Sequence, residues 1–127
     1  MENNNLQEIF DVLLGYLPKK WKKVALYSAA SGNMTSTKFY VDCGKGYIDC
    51  FHLDYDKTTL IKIFFTIESI LSAERKGLTG IHKWTVFTMF VNSKGKVEAN
   101  YDYTDISETY IDYHAEWEKK NIFNTSN

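Results

Sequence analysis

The stretch Ile81–Tyr103, IHKWTVFTMFVNSKGKVEANYDY, decides how the rest of the chain must fold. Two runs dense in aromatic and β-branched residues flank Asn92-Ser93-Lys94-Gly95, a glycine-containing turn. The pattern predicts a hairpin with strands over 81–91 and 96–103. On the second strand Val97, Ala99, Tyr101 and Tyr103 share one side, and Lys96, Glu98, Asn100 and Asp102 the other, because side chains alternate across a strand. An isolated hairpin is marginal in water, so it needs more strands and helices laid against it.

Downstream, Asp105 and Glu108 have capping-box spacing. Ile106, Tyr110, Tyr113 and Trp117 then recur at helical intervals, which predicts a terminal helix fastened to the sheet by aromatic rings. Upstream, KTTLIKIFFTIESILSAERKG (57–77) reads as a second helix that Asp54 or Asp56 can cap. Leu60, Phe64, Ile67 and Leu71 mark one face, and Ile61, Ile63, Phe65 and Ile70 widen the apolar arc, which predicts packing on more than one side. Earlier still, KKVALYSAA, TKFYVDC and YIDCFHL, separated by SGNM and GKG, read as a three-strand meander. A first amphipathic helix is expected over 5–16, capped by Asn5 with Glu8 and stopped by Pro18. The predicted order is helix, three-strand meander, helix, two-strand hairpin, helix. This is an α+β fold with a single antiparallel sheet covered by helices.

At 127 residues the chain suits one domain over 1–127, with 122–127 as a frayed tail. Net charge is −1, so no global field recruits nucleic acid or a membrane. MENNNLQEIF lacks the basic and apolar regions of a signal peptide, and no apolar run approaches the roughly 20 residues that span a bilayer. The expectation is a soluble protein retained in the cytosol, with Cys43 and Cys50 as small, buried thiols. Aromatic residues reach 16%, nine of them Tyr, a residue suited to surfaces that become interfaces.

Signals for chemistry are sparse. His52, His82 and His114 lie in three different elements and belong to no zinc, nucleophile-elbow or phosphate-loop motif. Asp102, Asp105 and Glu108 crowd together, but without the alternation of a calcium loop, and no cofactor is implied. PKKWKK (18–23) suggests nucleic-acid contact through Trp21, although lysines beyond a helix C-terminus also complement its dipole. An acidic face remains once the structural residues are subtracted. Glu108, Asp112, Glu116 and Lys119 point away from the Tyr110–Trp117 stripe. With Asp102 on the last strand, the three acids are expected to make a tyrosine-rimmed acidic patch, and such carboxylates can take the place of phosphates in a basic groove.

Three segments carry a resemblance: LPKKWKKVALYS, HKWTVFTMFVNSKGKVEANYDYTDI and EWEKKNI. With Pro18 and Trp21, Trp84 and Thr85, Gly95 and Lys96, Asp102, Tyr103 and Asp105, and Trp117 in this order, the chain resembles the YezG/EsaG-like immunity proteins, antitoxins to secreted bacterial nuclease toxins. The resemblance implies a non-enzymatic protein whose partner is a cognate toxin domain, a DNase or RNase. An immunity protein of a contact-dependent growth inhibition system would play the same role. The expected contacts are Asp102, Asp105, Glu108, Asp112 and Glu116, with Tyr101 or Tyr103 at the edge. A second candidate surface comprises Asp49, Asp54, Tyr55 and Asp56. Core roles are expected for Trp84, Tyr110, Tyr113 and Trp117. The alternatives from other classes are a small metal-dependent hydrolase using Asp102, Asp105 and His114, and a nucleic-acid-binding module centred on Lys19–Lys23.

Overall fold

A computed structural model describes residues 3–31 and 34–123. Three helices and one five-stranded antiparallel sheet make an α+β fold. The helices are α1 (Asn3–Leu14), α2 (Lys57–Arg75) and α3 (Tyr110–Glu118). The strands are β1 (Lys23–Ser31), β2 (Met34–Asp42), β3 (Tyr47–Asp49), β4 (Val86–Asn92) and β5 (Val97–Asp102), in the spatial order β3-β2-β1-β4-β5. The predicted hairpin is present, with Val86 opposite Asp102 and Val91 opposite Val97. It joins the meander through β1, where Ala29 lies opposite Val86.

The two sides of β1 build two cores. Val24 and Leu26 face α1 and α2, where Ile9, Leu13, Ile63, Ile67, Phe39 and Phe87 complete the larger core. Ala25, Tyr27 and Ala29 face α3, where Tyr40, Val86, Ile106, Trp117 and Ile122 form the smaller one. Helices on both faces explain why the middle of β1 is buried throughout rather than alternating. Among the described residues no helix is long and apolar enough to cross a membrane.

Several boundaries differ from the sequence reading, each for a local reason. Helix α1 ends before Gly15, three residues short of Pro18, and it begins at Asn3, so Asn5 sits inside the first turn instead of capping it. Strand β3 stops after three residues because the Asp49 carboxylate accepts from the Phe51 and His52 amides and nucleates a 3-10 turn over Cys50–His52. Strand β4 starts at Val86, since Gly80–His82 form a 3-10 turn with Gly80 at φ +57°. Asp56 caps α2 by accepting from the Thr59 amide at 2.7 Å. That helix packs through Leu60, Ile63, Ile67 and Leu71, with Phe64 and Ile70 partly buried on the same core, and it meets both α1 and β2 as expected; Ile61 and Phe65 are exposed. Cys50 is buried but Cys43 is exposed, against the expectation for both. The SGNM turn falls on positions 32 and 33, outside the described residues, as does NTSN at 124–127. Residues 122 and 123, read as the start of a frayed tail, belong to a π-helical turn over Lys119–Phe123, and Ile122 is buried.

Candidate partner-binding surface

Helix α3 has an inner and an outer side, and its inner side is fully committed. Trp117 is buried against Tyr27, Tyr40 and Phe90, with ring centroids 4.9, 5.7 and 6.1 Å away. His114 stacks on Tyr27 at 4.1 Å with the rings 5° from parallel. The Tyr40 hydroxyl donates its one proton to Glu118 Oε2 at 2.6 Å, so its oxygen accepts from His114 Nε2–H at 2.9 Å. Lys38 completes the group with a 2.9 Å ion pair to Glu118. Burial pushes the His114 pKa down, against the pull of Glu118, and the ring is neutral near pH 7. Burial acts to raise the Glu118 carboxyl, but the bonds from Tyr40 and Lys38 outweigh it and hold it below the usual range.

Asp102 is held on the same sheet face. Its carboxylate accepts from the Tyr113 hydroxyl and from the Thr104 amide at 2.9 Å and hydroxyl at 2.7 Å. Burial would raise its carboxyl, yet these bonds set it lower than usual. Asp102 therefore ties β5 to α3 as well as lying near the acidic face. Asp105 accepts from the Ser107 amide at 2.9 Å, and this bond lowers its pKa. It shapes the turn before α3 and does not cap the helix, which begins five residues later with Thr109 in the capping position. Because the helix starts at Tyr110, that ring sits 39% exposed on its first turn and leaves the core role expected of it. Trp84, Tyr113 and Trp117 do pack inward.

The outer side of α3 carries Asp112 and Glu116, and Glu108 stands on the turn before it. All three are exposed, and none of their side chains bonds to another described residue. Asp112 and Glu116 are four apart on a helix, a like-charge pair that destabilises by a few tenths of a kcal/mol and that a cationic partner would relieve. Ile111, 68% exposed, adds apolar area beside them, and Tyr103 is 54% exposed just past the end of β5.

Two expected partners of this face lie elsewhere. Tyr101 points to the opposite side of the sheet, against Phe87 at 5.4 Å and Trp84 at 6.2 Å, and burial raises its hydroxyl to about 12. The second surface belongs to the other edge of the sheet, where Asp49 ends β3. There Tyr55 turns inward, donating to the Tyr16 carbonyl at 2.6 Å and packing on Phe39. Asp56 is the α2 cap, and Asp54 is exposed.

The geometry gives little to the other classes. Asp102, Asp105 and His114 each carry a separate structural bond, and among the described residues no group of three His, Cys, Asp or Glu is placed to hold a metal ion. Burial raises the Cys50 thiol to about 11, which keeps it protonated. Trp21 packs edge-on against Phe10 at 6.1 Å, so its ring is not free between the lysines, and Lys23 pairs with Asp42.

A comparison with family models matches residues 3–126 to the family described as immunity protein YezG-like. The chain belongs to the YezG-like immunity protein family. Comparison with curated proteins finds no match. Within the YezG-like chain, the resemblance seen at Pro18, Trp84, Asp102 and Trp117 now has a physical basis. Trp84 and Trp117 fill the two cores on either side of the sheet, and Asp102 links the hairpin to the last helix. An immunity family implies a cognate toxin as partner.

Proposed function

We propose that this protein neutralises a cognate toxin by binding its catalytic domain, a nuclease acting on DNA or RNA, and covering its substrate groove. The protein acts without turnover of its own and works in the cytosol, where the toxin's substrate lies. One observation supports the surface we assign. Glu108, Asp112 and Glu116 have no task within the fold, while the opposite side of the same helix is wholly engaged. A nuclease must present cations to phosphates, and a row of exposed carboxylates meets that requirement.

Steric and electrostatic occlusion over a standard interface, roughly 1,600 Å² in total, would suffice. Opposite charges can also speed capture by about ten- to a thousand-fold at low salt. The triple variant Glu108→Lys, Asp112→Lys, Glu116→Lys should stay folded, because these side chains touch nothing internal, and should bind the cognate toxin's nuclease domain at least tenfold more weakly. Titration calorimetry decides this, and unchanged affinity would place the contact elsewhere. Failure of the unmodified chain to protect cells expressing that domain would refute the immunity reading itself.

A further inference from the structure

Arg75 is the only arginine among the chain's 15 cationic residues. It lies at the end of α2, beside a cleft of about 160 Å³ that Ser28, Ser72, Arg75, Lys76, Lys83 and Trp84 help to line. Its guanidinium lies over the Trp84 ring, 5.5 Å from the centroid. Nε donates to the Trp84 carbonyl at 2.7 Å and Nη2 to the Ala30 carbonyl at 3.3 Å. Both acceptors are neutral, and no described carboxylate forms an ion pair with Arg75. A guanidinium has five N–H donors in a planar fork, so these two bonds fix its orientation and leave three donors free on its outer edge. Glu68 also lines the cleft, but its oxygens already accept from Thr37 at 2.6 Å and Thr35 at 3.4 Å.

The setting suits a protein partner. Lys76 and Lys83 add charge at the same cleft, and the intervening segment 76–83 contains no acid. Its Ile81 is 87% exposed, an apolar side chain held out beside the cations. The cleft also sits at the end of the sheet where α3 begins. The Arg75 acceptor Ala30 precedes the β1–β2 turn, and Thr85 bonds to the Asp102 and Thr104 carbonyls just before the acidic segment.

We infer that this cleft receives an aspartate or glutamate side chain of the toxin, held end-on by Arg75 with Lys76 and Lys83 around it and Ile81 against the adjoining apolar surface. The inference rests on the immunity reading and deepens it. A carboxylate-accepting cleft on one face of the sheet and an acidic face on the other would let a toxin dock in one orientation only, because a reversed partner would meet like charges.

Two measurements test it. In the full chain the Arg75 Nε–Hε resonance is unique, and its hydrogen bond to Trp84 favours its detection. N-acetyl-aspartyl methylamide at millimolar concentration should shift that resonance and the Lys83 and Trp84 amides, and the asparaginyl counterpart should not. Equal response to both compounds, or response to inorganic phosphate alone, would overturn the assignment. The double variant Lys76→Glu, Lys83→Glu changes only exposed side chains and should bind the nuclease domain roughly tenfold more weakly. Unchanged affinity removes this inference alone. Absence of binding by the unmodified chain removes the immunity reading and the cleft's role with it.

Discussion

At the scale of single residues, the fold spends its polar groups unevenly, and that unevenness separates structure from function. His114 is held neutral between Tyr27, Tyr40, Glu118 and Lys38. Its pKa in the folded chain lies below the ordinary 6.5 because burial disfavours the charged ring. The unfolded chain therefore takes up the proton first as pH falls. The stabilisation is complete above about pH 6.5 and is lost as pH drops through that value toward the folded one. Urea unfolding across pH 7 to 5 should show falling stability, and His114→Gln should flatten the slope in that window. The depressed Glu118 contributes only further down, as pH falls below the ordinary glutamate value of 4.5, so the two effects separate. The sequence offered Asp102, Asp105 and Glu108 alike as partner contacts. Hydrogen bonding distinguishes them, since two are engaged and only Glu108 is free.

At the scale of elements, α3 is the informative case. Nine residues make a helix that is marginal alone, so its stability comes from docking. Trp117 is the buried residue of α3, and Trp117→Ala should cost about 3–5 kcal/mol and loosen the helix from the sheet. By contrast Ile111→Ala, on the outer side, should change stability by no more than about 0.5 kcal/mol. Thermal or urea unfolding of the two variants checks the contrast. The helix itself was legible from the spacing of Tyr113 and Trp117. Its start was not, because Asp105 bonds to Ser107 and closes a separate turn first. Helix α2 shows the converse. Its broad apolar arc read as more than one packing side, and it does meet both α1 and β2, yet Ile61 and Phe65 face outward, since composition reports how apolar a face is and not whether anything lies against all of it.

At the scale of the whole molecule, a net charge of −1 conceals a division. Near one end of the sheet, carboxylates stand on the α3 side and Arg75, Lys76 and Lys83 on the α2 side. Association with the nuclease domain should therefore slow steeply with added salt, since the range of exposed charges falls to about 3 Å at 1 M ionic strength. Stopped-flow rates at low and high salt measure this. A rate indifferent to salt would mean that shape and apolar contact, not the fields of these groups, drive encounter.

What the sequence determined by itself was local in origin. The hairpin at Gly95, the helical runs and the alternating strands follow from periodicities of two and 3.6 residues and from where glycine and aspartate interrupt them. What only the tertiary structure decided was which side of the sheet each residue serves. Tyr101 and Asp102 are neighbours in the chain, yet one joins the α2 core and the other binds α3. Arg75 carries no distinguishing motif in the sequence; folding brings the Ala30 and Trp84 carbonyls to it and leaves its outer edge without a partner among the described residues. Those outcomes depend on contacts between segments far apart in the chain, which no local pattern encodes.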